Sequence, residues 1–193
     1  DGWTCADVGA GRFPWPRADV FVDRDEAVVE SVLMGLPNGR DHRAVIGDIS
    51  RPGGLPFGDK ELDFAFCSHV LEHIPDPAAA AAELSRVAKR GIVVVPSIAV
   101  EAMFLFESSE HLWWYVGMGD KGLRAMPTDR GFIDQVKDGR VSGVLCRLFR
   151  QGPNRLDADS RVARIWYWKN CKHLDIILPW EGSFTVDTLR WPT

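Results

Sequence analysis

The chain has 193 residues, a formal net charge of −4, 46% hydrophobic residues and 26% charged residues. That length supports one domain with a substantial core, and the composition is that of a soluble globular protein. The acidic balance argues against a general nucleic-acid binder, and the most apolar run, Ile92–Phe106, is broken by Pro96 and Glu101 and is too short to span a bilayer.

Strands are expected at Thr4–Val8, Asp19–Asp23, Ala44–Gly47, Leu62–Ser68 and Gly91–Pro96. A weak helix is expected over Glu26–Met34, ended by the turn cluster Gly35-Leu36-Pro37-Asn38-Gly39. A stronger helix follows Asp76, a good N-cap, with Pro77 at its first position and an alanine-rich run to about Lys89. Lys89-Arg90-Gly91 reads as its basic end and glycine stop. Further on, Val162–Trp168 and Leu174–Leu178, linked by Lys169-Asn170-Cys171-Lys172-His173, read as strands completing an antiparallel edge. Within the first of these, Trp166-Tyr167-Trp168 reads as packing, with a homodimer surface as the second reading. The alternation of strands and helices predicts an α/β fold whose sheet is mostly parallel. The whole chain, 1–193, is expected to be a single domain, with a ligand-binding core at about 1–98 and a substrate-side lid with C-terminal strands at about 99–193.

Cys5, Cys67, Cys146 and Cys171 are scattered and read as buried thiols of a reducing compartment. The opening Asp1-Gly2-Trp3 carries no secretory signal, so a cytoplasmic location is expected. The absent initiator Met and abrupt start suggest further residues upstream.

Three successive strand tips carry carboxylates: Asp7-Val8-Gly9-Ala10-Gly11, Val22-Asp23-Arg24-Asp25 and Gly47-Asp48-Ile49. In an open parallel sheet, ligands sit where neighbouring carboxyl ends meet, so these tips predict a pocket for a ribose and an adenine. Gly9 and Gly11 permit a sharp turn and a close ligand approach. A dinucleotide site would carry G-x-G-x-x-G opening a helix, but the third position here is Pro14. The segment Arg12–Asp19 is also shorter than the dozen or so residues a helical crossover needs, about 12. No P-loop lysine follows. A nucleoside without a pyrophosphate suits these constraints.

On Asp7-Val8-Gly9-Ala10-Gly11, Leu55-Pro56-Phe57-Gly58-Asp59-Lys60-Glu61-Leu62-Asp63-Phe64 and Cys67-Ser68-His69-Val70-Leu71-Glu72-His73-Ile74, the chain resembles the class I S-adenosylmethionine-dependent methyltransferases, specifically those with a methyltransferase type 11 domain. The Pro75-Asp76-Pro77 helix start and Arg86-Val87-Ala88-Lys89-Arg90-Gly91 strand entry fit too, so that the resemblance covers about residues 3–98. It implies a Rossmann-like sheet and S-adenosylmethionine as cofactor. Asp7, Gly9, Ala10 and Gly11 would lie beside its methionine part. Asp23 would accept from both ribose hydroxyls, with Arg24 adjoining. Asp48 would accept from the adenine amino group, Ile49 would cover the ring, and Ser68 and His69 would line the sulfonium. Relatives have a helix after the glycine loop; where it is missing here, Arg12 would supply charge for the cofactor carboxylate.

His69-Val70-Leu71-Glu72-His73 also spells H-x-x-E-H, a zinc-hydrolase motif. Pro75 stands too close for a long ligand-bearing helix, so the expectation is no metal, with Glu72 paired locally and His73 closing a turn. A cofactor-binding scaffold without turnover is the other alternative. Glu107–Asp120 lacks clean periodicity and reads as a lid: Trp113, Trp114 and Tyr115 as substrate-binding walls, His111 as general base and His69 beside the reacting centre. The expected reaction is methylation of a small-molecule acceptor, at oxygen more than nitrogen, with neither a nucleic-acid partner nor a membrane span.

Overall fold

Strand β1 (Cys5–Val8) alternates cleanly: Ala6 and Val8 point into the core, and Asp7 points to the opposite face. The same parity runs through β2 (Val20–Asp23), which pairs parallel to β1 in the register Ala6↔Val20 and Val8↔Val22. In this computed structural model, residues 2–11, 14–35, 42–97, 100–101, 111–119, 122–129, 131 and 175–189 are described. Strands β3 (Arg43–Ile46), β4 (Phe64–Ser68) and β5 (Arg90–Val95) extend the parallel set. Strand β8 (Ile176–Glu181) closes it antiparallel to β5, in the order β3-β2-β1-β4-β5-β8. A mostly parallel α/β sheet with an antiparallel edge is therefore present. The order reverses direction between β1 and β4, the position at which such sheets bind ligands.

Helix α1 (Glu26–Gly35) starts where Asp25 accepts from the backbone N–H of Ala27 at 2.9 Å. Helix α2 (Pro77–Val87) has the expected N-cap, with Asp76 accepting from Ala79 N–H at 3.0 Å and Pro77 at the start. Its buried Ala80, Ala81, Leu84 and Val87 cover the Ala6/Val8 face. The helix stops earlier than expected, at Val87, because Ala88 turns extended and Leu62 pairs with it across an isolated bridge. Lys89 then pairs with Asp63 at 2.6 Å, and Arg90 already belongs to β5. Gly91 is no helix stop. It lies inside β5, where a Cβ would come within 2.2 Å of the Ala65 carbonyl and 2.8 Å of the Trp180 ring.

The aromatic segment expected as an irregular lid is a strand, β6 (Trp113–Gly117). It forms an antiparallel hairpin with β7 (Gly122–Pro127), and β9 (Thr185–Thr188) adds parallel to β7. Tyr115, Leu123, Ala125 and Val186 from this second sheet join the main core. The edge strand β8 begins later than Leu174, at Ile176. Gly35 is the last residue of α1, and the rest of its expected turn cluster lies outside the described residues. Val162–Trp168, the linker to His173, Cys146 and Cys171 also lie outside them.

Between β1 and β2 no helix occurs among the described residues; instead Trp15 packs on Phe66 (ring centroids 5.2 Å) and Phe64 (5.9 Å). The backbone N–H of Trp15 donates to Asp7 Oδ2 at 2.6 Å. One indole, anchored by one buried carboxylate, covers part of the face that a helix would otherwise cover. No helix among the described residues is long and apolar enough to cross a membrane.

Candidate functional site

The carboxyl ends of β1 to β4 open onto one cleft of about 520 Å³, lined by Val8, Gly9, Gly11, Asp23, Arg24, Gly47, Asp48, Ile49, His69 and Val70, with His73, Ile74 and Leu112 on the far wall. This volume suits a nucleoside-sized ligand. The glycine loop is shaped by contact as much as by turn chemistry. Gly9 has φ +78°, and a Cβ there would fall 2.3 Å from Val70 Cγ2. Gly9 N–H and Ala10 N–H both donate to the Val22 carbonyl, at 2.8 and 3.1 Å, and Gly11 N–H donates to Asp23 Oδ2 at 3.0 Å. The loop amides are thus used within the protein, and what the loop offers a ligand is room.

Asp23 caps the β2 tip. Its Oδ2 takes Gly11 N–H and its Oδ1 takes Asp25 N–H at 3.1 Å, which leaves each oxygen a lone pair toward the cleft. Asp48 is more committed: Oδ1 accepts from the Ser50 N–H at 3.0 Å and the Ser50 hydroxyl at 2.6 Å, and Oδ2 pairs with Arg51 at 3.0 Å. The Ser50 hydroxyl is the main reason its carboxyl is held below the usual range. Ile49 is buried beside it and faces the cleft.

Of the residues the sequence nominates, Gly9, Gly11, Asp23, Arg24, Asp48, Ile49 and His69 converge here. Asp7, Ala10 and Ser68 are not among the lining residues, and Arg12 lies outside the described ones. Asp7 points away because strand parity puts it opposite Ala6 and Val8. Burial pushes its carboxyl up to about 6, with the Trp15 N–H pulling the other way and the Asp23 charge adding to the rise. Val70, His73, Ile74 and Leu112 were missed. The G-x-G loop itself implies a bulky neighbour at close approach, but nothing local identifies that neighbour as Val70.

His69 stands at the β4 tip with φ +56°, a conformation costly for a residue with a Cβ. It is held there by its N–H donating to the Val94 carbonyl at 2.9 Å. Burial alone would favour the neutral ring. Asp175, 3.4 Å from Nε2, and Glu72, 3.3 Å from Nδ1, outweigh that, and its pKa is pushed up to about 10. These two carboxylates therefore favour the protonated ring.

The H-x-x-E-H motif does not form a helix. Leu71–His73 is a single 3-10 turn that begins after Val70 and leaves His69 outside it, so His69 and His73 share no helical face. Glu72 does pair locally with His69, as expected, and is fully buried. Burial would raise its pKa, but the His69 ring and the His111 and His73 charges hold it below the ordinary range. His73 stacks edge-on against His111, ring centroids 4.7 Å apart. His111 Nδ1 meets the buried Glu101 Oε1 at 2.5 Å, and this carboxylate raises the ring's pKa against the opposing effect of burial.

The three aromatics nominated as substrate walls are not among the cleft-lining residues. Trp113 donates its indole N–H to the Ile74 carbonyl at 2.8 Å, Trp114 is buried, and Tyr115 is fully buried with its hydroxyl donating to the Leu71 carbonyl at 2.9 Å. Trp113 and Tyr115 fasten the second sheet to the turn that carries Glu72 and His73.

A mostly parallel sheet with a glycine loop after β1, an acid at the β2 tip and a nucleoside-sized cleft at the switch point is a Rossmann-like arrangement. Residues 19–95 match the family described as methyltransferase domain, a span that holds the Leu55–Phe64 and Cys67–Ile74 motifs but not the glycine loop at residues 7–11; the family's methyl donor is S-adenosylmethionine. Among solved structures the chain is similar to S-adenosylmethionine-dependent methyltransferases from three organisms. For that from Thermotoga maritima the identity is 20%, the coverage 51% of this chain and 47% of that one, and the TM-score 0.42. For Aquifex aeolicus the values are 22%, 50% and 58%, and 0.41; for Mesorhizobium loti they are 15%, 72% and 65%, and 0.43. The chain thus spans less than two thirds of each. No curated protein matches it.

The cleft fits that cofactor where it can be tested. Gly9 leaves a cradle that a Cβ would close, Asp23 keeps acceptor capacity for a ribose edge, and Ile49 presents an apolar surface for the base.

Proposed function

We propose that this chain transfers the methyl group of S-adenosylmethionine to a small-molecule acceptor, at oxygen in preference to nitrogen. The observation that carries the reading is Asp23, a carboxylate at the tip of β2 with lone pairs to spare, in one cleft with the Gly9 loop. In this reading Asp23 binds the ribose hydroxyls, Asp48 and Ile49 receive the adenine, and the methionine end lies along Gly9 and Gly11 toward His69. The cofactor's carboxylate end is assigned to Arg12, because the loop amides are already bonded to Val22 and Asp23 and both His69 ring nitrogens already face Glu72 and Asp175.

The acceptor enters on the wall formed by His73, Ile74 and Leu112. Because the sulfonium already activates the methyl group, alignment for in-line attack supplies much of the rate. A cleft walled by imidazole and aliphatic side chains suits a small hydroxyl-bearing acceptor, and the net charge of −4 does not favour a polyanionic one.

Calorimetry with S-adenosylmethionine and S-adenosylhomocysteine tests this on the wild type, Asp23→Ala and Asp23→Asn. Hydrogen bonds to a charged group are worth roughly 1.5–3 kcal/mol each. Asp23→Ala should therefore weaken both ligands at least ~10-fold, and Asp23→Asn, which keeps an acceptor oxygen, should weaken them less. Equal affinity across the three proteins removes the ribose assignment.

A further inference from the structure

At the wall of the cleft that His73 helps to form, Glu72, His73 and His111 bring one ligand atom each to within 4.8 Å of one another. Two of these residues come from the 3-10 turn and the third from the segment entering β6. The turn and that segment are tied together by the Leu112 N–H donating to the Glu72 carbonyl at 2.7 Å. The Thr128 hydroxyl donates to the His111 carbonyl at 3.1 Å.

Glu72 is the informative member. Its side chain has 0% exposure, and among the described residues neither carboxylate oxygen accepts a hydrogen bond, its ion-pair neighbour being the His69 ring 3.3 Å away. A fully buried carboxylate with open lone pairs beside two further imidazoles supplies the ligand atoms that a bound cation needs. His111 is oriented as a metal-ligating histidine usually is: Nδ1 is engaged by a carboxylate, Glu101, which leaves Nε2 to bind.

The geometry points to a binding site for one divalent transition-metal ion, held by Glu72, His73 and His111 with Glu101 as the outer partner of His111. Two imidazoles and a carboxylate select zinc-like ions over magnesium or calcium. Three protein ligands leave coordination positions open, and His73 also lines the cleft. In a role that rests on the methyl-transfer reading, those positions take the acceptor's hydroxyl. The bound O–H loses its proton to water, the oxygen lone pair forms the new O–CH3 bond, and the methyl–sulfur bond breaks with its electron pair staying on sulfur.

The test uses the full chain stripped with EDTA and titrated with Zn2+ alone, then with Co2+, whose visible absorption reports an imidazole–carboxylate site. One equivalent of Zn2+ is expected. His111→Ala and Glu72→Gln should each lower its affinity at least ~100-fold, and Glu101→Gln should lower it by roughly 10–100-fold as a positioning residue. Millimolar Mg2+ should leave the bound Zn2+ in place. Far-UV circular dichroism and S-adenosylmethionine calorimetry on the same variants separate ligand loss from unfolding. Absence of stoichiometric Zn2+, Zn2+ binding unchanged in folded His111→Ala and Glu101→Gln, or displacement by Mg2+ overturns the site. Zn2+ binding without S-adenosylmethionine binding would leave the metal site and remove the methyl-transfer reading; the converse would remove the metal site alone.

Discussion

Replacing Asp7 with Asn should make the protein more stable at neutral pH, although it alters the acid of the glycine-loop motif. The Asp7 side chain is almost wholly buried, and its carboxyl is pushed from the ordinary 3.8 up to about 6, chiefly by burial. Below pH 3.8 both folded and unfolded states hold the proton. Between there and about pH 6 the unfolded chain ionises while the folded one does not, so stability falls as pH rises; above about pH 6 the loss is complete. At about 1.36 kcal/mol per pH unit, the gap amounts to roughly 3 kcal/mol. Asn carries no charge and keeps an oxygen for the Trp15 N–H, so this loss disappears from Asp7→Asn. Urea unfolding followed by tryptophan fluorescence, from pH 4 to 7.5, measures both proteins. Subtracting the two curves removes the contributions of other carboxylates. The difference should grow in favour of Asn by up to ~3 kcal/mol and level off near pH 7. A difference that does not vary with pH would show that Asp7 ionises normally and that the burial argument fails.

Two further substitutions probe the frame of the cleft. Glu83 accepts from the Gly53 and Leu55 N–H groups at 3.0 Å each and pairs with Arg86 at 2.7 Å, so Glu83→Ala should cost about 3–5 kcal/mol in denaturant unfolding. A loss under ~1 kcal/mol would mean that this loop, whose Gly54 carbonyl accepts from Asp48 N–H, does not depend on it. Gly9→Ala and Gly53→Ala both place a Cβ at positive φ, but only the first meets a neighbour, Val70 at 2.3 Å, while the second meets open space. Gly53→Ala should therefore cost only the dihedral strain, about 1–3 kcal/mol, and Gly9→Ala should cost more and also weaken S-adenosylmethionine binding. Equal melting temperatures for the two variants would contradict the close approach.

Much of the cleft was legible because its signals are local. Alternating apolar residues mark each strand, and an acid or glycine at its end marks the tip, so Asp23, Asp48 and the glycine loop could be placed from short stretches. Asp7 shows how such a reading misleads. It belongs to the motif, but in a strand its neighbours Ala6 and Val8 take the core face, and its carboxylate serves Trp15 instead. The Trp113-Trp114-Tyr115 run failed for a related reason: without its partner strand β7, a three-residue alternation is indistinguishable from an aromatic lid.

The amino-acid order alone determined a mostly parallel α/β sheet, the lack of a third glycine in the loop after β1 and a cleft at the strand tips, since these depend on residues within a few positions of one another. Only the tertiary structure decided that Glu72 and His73 meet His111 instead of sharing a helix with His69. It also decided that one tryptophan stands on the sheet where a helix is customary. Those outcomes depend on where β6 and the first crossover return to the sheet, and side-chain packing across long sequence separations governs that return.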